Sequence, residues 1–134
     1  SQLKKIDKFI KRKKEIAKIY DENFSDNTAF SIPQVKKNCS HSYHLYPLQI
    51  NFNEINISKI GLFKKMKSKN INLQVHYVPI HLQPYYRKKY NFKWGDFPIA
   101  EQFYNRVLSL PIFFSIKNIE VLNIIKLIKR FCNS

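Results

Sequence analysis

Residues 3–22 place Leu3, Ile6, Ile10, Ala17 and Tyr20 three and four positions apart, with lysines filling the other faces. That is the period of a helix carrying one apolar stripe. Residues 23–41 mix Ser, Asn, Asp and Pro33 without a period and read as a loop. From His44 to Phe52 the period becomes two: Tyr46, Leu48, Ile50 and Phe52 alternate with Leu45, Pro47, Gln49 and Asn51. This is a half-buried strand, in which Pro47 points to an edge or an irregularity. A second helix follows, with Ser58 as N-cap, Ile60, Phe63 and Met66 on its inner side, and Asn70 in the left-handed position that ends it. Residues 71–78 alternate again, with Ile71, Leu73, Val75 and Tyr77 on an apolar face and Gln74 and His76 together on the polar one.

Residues 79–95 are rich in Pro and Tyr and read as an ordered excursion without regular structure. Asp96-Phe97-Pro98 opens a helix with Ala100, Phe103, Val107 and Leu108 inward, ended by Leu110-Pro111 because the residue before proline leaves the helical region. A last helix runs from about Lys117 to Phe131, with Ile119, Leu122, Ile125 and Ile128 as its stripe. Glu120 at its start and Lys126, Lys129 and Arg130 at its end suit the helix dipole. The order helix, loop, strand, helix, strand, excursion, helix, helix predicts an α+β domain. It has a small sheet of two to three strands, mixed or of βαβ type, with helices packed on one side.

Composition narrows the function. The 134 residues are 44% hydrophobic, enough for one cored domain rather than a disordered chain. Lys and Arg number 24 against 9 acids, a net +15 that favours anionic partners. The abundance of Lys, Ile and Asn, all with A/T-rich codons, weakens that inference. Only Gly61 and Gly95 are glycines, which removes P-loops and dinucleotide-binding glycine loops. Cys39 and Cys132 lie far apart and read as reduced thiols. With no apolar run near the ~18 residues of a membrane span and no signal-type segment, the expectation is a cytoplasmic protein without membrane contact.

Several constellations are weak. Cys39, His41, His44, His76 and His81 match no paired metal-ligand spacing, so no metal is expected. Neither cysteine sits in a nucleophile signature, and Asp96 and Glu101 read as helix-start residues. Tyr85-Tyr86-Arg87-Lys88-Lys89-Tyr90 interleaves aromatics with cations, so a basic nucleic-acid-binding module is the alternative reading. The segment from Gln74 to Tyr86 is the more informative. Its histidines, tyrosines and prolines give a stiff backbone with hydrogen-bonding tips, either one wall of a ligand site or a buried aromatic corner.

Three ordered blocks, HLYPLQI (44–50), VHYVPIHLQPYY (75–86) and GDFPIAEQFYNRVLSLPIF (95–113), resemble the C-terminal part of the DegT/DnrJ/StrS aminotransferases. The phrasing is nearest to members that aminate C4 of UDP-linked 4-keto-6-deoxy sugars, as in pseudaminic-acid biosynthesis. The resemblance covers nearly the whole chain, since residues 1–24 look like the family's helix linking its two domains. It implies a small C-terminal domain over 42–134, reached through the 25–41 loop. The large domain, with the pyridoxal phosphate, its lysine and its phosphate-binding residues, would lie outside this chain. Catalytic and cofactor-binding residues are then absent here, and the chain alone is expected to be inactive. What the resemblance carries over is substrate binding, by Gln74, Val75, His76, Tyr77 and His81. It also implies L-glutamate as amino donor, a nucleotide-linked acceptor sugar and a homodimeric intact enzyme.

Overall fold

A computed structural model describes residues 2–133. After a short 3₁₀ turn, α1 (Ile6–Phe24) leads to β1 (Phe30–Ser31) and β2 (Tyr46–Ile50), then α2 (Lys59–Lys67). A 3₁₀ turn at Ile80–Leu82 precedes α3 (Pro84–Tyr90) and α4 (Pro98–Arg106), which runs directly into β3 (Val107–Leu110) before α5 (Asn118–Asn133). The sheet is antiparallel in the order β1-β2-β3. It contains no βαβ crossover, but the α+β class holds.

Strand β2 forms as its alternation predicts, with Tyr46, Leu48 and Ile50 fully buried. It is the central strand, yet Pro47 causes no loss. β1 pairs only with Gln49 and Ile50, so the other edge of β2 is open at Pro47, where a missing N–H goes unnoticed. β1 itself lies inside the expected 25–41 loop. Two residues cannot display a period, and what places them is Phe30, buried with its ring 5.0 Å from Phe24.

The expected strand over 71–78 is reduced to one bridge, in which Gln74 and Ser109 exchange both backbone hydrogen bonds (3.1 and 2.9 Å). Leu73 is buried, but Val75 is 57% and Tyr77 96% exposed, against the prediction that both face the core. The third strand is instead Val107–Leu110, which the sequence reads as the end of a helix. All four of its residues are buried, and a short continuous apolar run fits either element until its neighbours are known.

The helices keep their predicted places with shifted faces. Ser58 caps α2, its Oγ accepting from the Gly61 amide (3.1 Å), and Asn70 ends that segment at φ 59°. Leu62 and Met66 face the core, while Ile60 is exposed. α5 buries Val121, Ile124, Ile125, Ile128 and Cys132, leaving Ile119 and Leu122 in solvent. It carries apolar residues on more than one face, and contact with both α1 and α2 selects between them. α1 is buried from Ile16 to Phe24, whereas Leu3 and Ile6 lie beyond the reach of α5. Arg12 fastens the two helices, donating to the Ile116 carbonyl (2.6 Å) and Asn118 Oδ1 (2.8 Å). The excursion is more regular than expected: Pro84 sits at the start of α3, where its missing N–H has no helical partner to lose, and Asn91 ends it at φ 56°.

Cys39 is exposed and Cys132 buried, both as free thiols, and burial pushes the Cys132 thiol up to about 11. Among the described residues no helix is long and apolar enough to cross a membrane.

Tyr46 Oη donates to Asp21 Oδ1 (2.6 Å) across the α1–β2 interface. Burial raises the Asp21 carboxyl above its ordinary value. The Tyr46 bond works against that rise and neighbouring Glu22 adds to it. A carboxyl that holds its proton more tightly folded than unfolded weakens the fold as pH climbs through those values. Asp21→Asn keeps the acceptor for Tyr46 and cannot ionise. It is expected to be more stable than the parent at pH 7, with the gain vanishing below about pH 4. Urea denaturation at both pH values checks this, and an equal gain at both would refute it.

Candidate functional site

The segment after the bridge leaves the sheet edge between β3 and α4. His76 is half-buried and Ser109 buried, and their side chains meet at 2.8 Å between Nε2 and Oγ. The His76 ring stands edge-on to Phe103, with centroids 6.1 Å apart. Burial, and secondarily the charge of Lys59, lowers the His76 pKa, so the ring is a neutral imidazole near pH 7. Its Nδ1 has no hydrogen-bond partner among the described residues. Tyr77, beside it, stands almost wholly in solvent.

Pro79 turns the chain into the 3₁₀ turn that buries His81. His81 Nε2 lies 2.8 Å from Glu101 Oε1, both side chains being buried. Both carboxylate oxygens of Glu101 accept from the Gly95 amide (2.9 Å each), and Oε1 also accepts from the Phe97 amide (3.4 Å). Burial alone would raise this carboxyl. The bonds from Gly95, His81 and Phe97 outweigh it and hold the group below its ordinary value. Gly95 adopts φ 99°, a conformation that side chains rarely tolerate, so the residue that presents its amide to Glu101 has to be glycine. One buried carboxylate therefore ties together the 93–97 turn, the first turn of α4 and the 3₁₀ turn. The sequence shows Glu101 only as a helix-start residue. Its six-residue separation from Gly95 and twenty from His81 belong to no local motif.

Two grooves open on this surface. One, of about 780 Å³, is walled by His76, Tyr77, Pro79, Phe97, Ile99 and Phe103, and is largely apolar. The other, of about 920 Å³, includes Asn51, Lys59, Val75, Trp94 and Arg106. Pro98 and Tyr104 line both. Lys59 Nζ donates to the Tyr104 carbonyl (2.6 Å) near the end of α4 and sits 5.0 Å over that ring, and burial lowers its pKa.

Of the residues singled out from sequence, His76 and Tyr77 share the first groove and Val75 faces the second. Gln74 is exposed at the bridge, and His81 lies beneath the surface against Glu101. No cluster of three or more His, Cys, Asp or Glu side chains able to hold a metal exists among the described residues.

The model of the DegT/DnrJ/EryC1/StrS aminotransferase family matches residues 1–129. An uncharacterized protein of Methanocaldococcus jannaschii is 41% identical over 129 residues, covering 96% of this chain and 33% of that protein. A UDP-4-amino-4,6-dideoxy-N-acetyl-beta-L-altrosamine transaminase of Campylobacter jejuni is 35% identical over 113 residues, 83% of this chain and 29% of that protein. The structure of Helicobacter pylori PseC, an aminotransferase involved in the biosynthesis of pseudoaminic acid, superposes with a TM-score of 0.85 at 30% identity. It covers 98% of this chain and 35% of that one. The chain thus spans about a third of the length of the curated relatives it matches.

Proposed function

The chain belongs to the DegT/DnrJ/EryC1/StrS aminotransferase family, and from that premise we propose that it is the substrate-pocket domain of a nucleotide-sugar aminotransferase. In this reading α1 links to a large domain outside the chain, and residues 42–134 form the small C-terminal domain. The acceptor is a UDP-linked 4-keto-6-deoxy sugar and the donor L-glutamate. The family match over residues 1–129 carries the reading, and the C4-type relative and structural neighbour support the choice of sugar.

Two contacts support placing pyridoxal phosphate and its lysine outside this chain. Lys59, the lysine that burial perturbs, has its Nζ committed to the Tyr104 carbonyl. The carboxylate on the same groove wall, Glu101, is saturated by Gly95, Phe97 and His81. Neither a free amine nor a free acid for a pyridine nitrogen is on offer, so the residues present do not fit the cofactor. Pyridoxal phosphate supplies the electron sink for amino-group transfer in such enzymes. The residues here bind and orient the acceptor. His76, held through Nε2 by Ser109, keeps Nδ1 for a sugar hydroxyl, and Tyr77 offers a ring face and a phenol. His81 acts through Glu101, setting the wall on which His76 and Tyr77 stand. The exposure of Tyr77, Ile80 and Ile99, at 96%, 68% and 84%, supports a surface covered by the large domain or a dimer partner in the intact enzyme.

The test incubates the intact protein, and separately this chain, with pyridoxal phosphate, L-glutamate and a UDP-linked 4-keto-6-deoxy-N-acetylhexosamine. Mass spectrometry then looks for the amino sugar. Product is expected from the intact protein and none from the chain. Product from the chain alone overturns the placement of the cofactor, and an intact protein inert toward this sugar overturns the substrate.

A further inference from the structure

We infer that the groove between the start of α2 and the end of α4 is a nucleoside-diphosphate site, an assignment that rests on the nucleotide-sugar reading above. Lys59, Lys64 and Arg106 line this groove of about 920 Å³, and Glu101 is the one acid on its wall among the described residues. Glu101 is already saturated, and Arg106 makes no hydrogen bond or ion pair among the described residues. The first turn of α2, through Ser58, Lys59 and Ile60, opens onto the same space and adds the positive end of a helix. An electropositive concavity with an unpaired arginine fits phosphate oxygens.

Two other features point beyond a bare phosphate. Trp94 lines the groove with half of its surface exposed, next to the half-buried Phe52, and offers a ring on which a flat heterocycle can stack. Asn51 also lines it. Its amide nitrogen is engaged by Glu54, while its Oδ1 is buried without a donor. A buried carbonyl left unpaired is costly, and a ligand N–H entering beside it supplies the missing bond. An inorganic anion would use the cations and leave the Trp94 face and the Asn51 acceptor idle. An apolar ligand would bury the cations. A planar base bearing N–H groups, joined to a diphosphate, uses all of them. Because Pro98 and Tyr104 line both grooves, a nucleotide lying here directs its sugar toward His76 and Tyr77.

Trp94 is the single tryptophan of the chain, so its emission reports on the groove directly. Titration with uridine diphosphate should give a saturable change, with uridine and inorganic pyrophosphate each at least roughly tenfold weaker. Arg106→Met should weaken uridine diphosphate and pyrophosphate by roughly tenfold or more and leave uridine unchanged. Asn51→Leu should do the reverse, weakening uridine diphosphate and uridine alone. If Asn51→Leu loses the parent's circular dichroism, Arg106→Met decides by itself. Absence of saturation by uridine diphosphate, equal affinity for it and pyrophosphate, or parental binding in Arg106→Met overturns the assignment. An intact enzyme that aminates the sugar with an unchanged KM in Arg106→Met would overturn the groove while leaving the aminotransferase reading in place.

Discussion

Leu48→Ala is expected to bring the domain to the edge of unfolding. Leu48 is fully buried in the central strand, opposite Leu108, where the sheet meets the helices. Deleting a buried leucine side chain costs about 2–5 kcal/mol, lost transfer energy plus the cavity left behind. A small domain has about 5–15 kcal/mol in total, so one truncation removes a large share of its stability. Urea denaturation measures the loss. Ile119→Ala serves as the control, since Ile119 is 70% exposed and its truncation should move stability by less than about 0.5 kcal/mol. Equal losses at the two positions would mean that β2 is not the centre of the core.

Glu101→Ala is the second large effect, and its readout is functional. With the carboxylate gone, the Gly95 and Phe97 amides and the His81 ring lose a shared acceptor, and the 80–82 and 93–97 turns are no longer tied to α4. Those turns carry both walls of the first groove. Misplacing substrate-positioning groups by about 1 Å costs on the order of a hundredfold in rate. In the intact aminotransferase, kcat/KM should therefore fall on the order of a hundredfold. Hydrogen exchange should accelerate at Gly95 and Phe97 but not in β2. An unchanged rate, or exchange that rises uniformly, would show that Glu101 does not position the site. Acid should imitate the mutation. The folded-state carboxyl is held below its ordinary value, so its contribution is full above the unfolded pKa and is lost as pH falls through the folded one. Selective loosening of these turns on acidification, ahead of global unfolding, is the matching observation.

The elements that could be read from the chain are those whose information is local. The two-residue period through Tyr46, Leu48 and Ile50, the cap at Ser58 and the left-handed stop at Asn70 are all visible in a few adjacent residues, and all are in the structure. The family blocks were legible for a related reason, because they are short ordered strings rather than spatial arrangements. The 71–78 alternation misled because a period states which residues can share a face. Whether a neighbouring strand exists to cover that face is another matter. Here β3 offers one bridge at Gln74, and the rest of the segment stays open, so Val75 and Tyr77 become surface.

By itself, then, the sequence determined the domain class, the central strand, the capped second helix and the segment 74–81 as the place to look for chemistry. Only the tertiary structure decided that Val107–Leu110 is a strand, which face of α5 is buried, and that His81 serves Glu101 while His76 and Tyr77 face outward. Periodicity and capping are set by bonds and contacts within one or two turns of chain. The Glu101 clamp and the two grooves join residues from Asn51 to Arg106, whose meeting depends on packing over distances that no local pattern encodes.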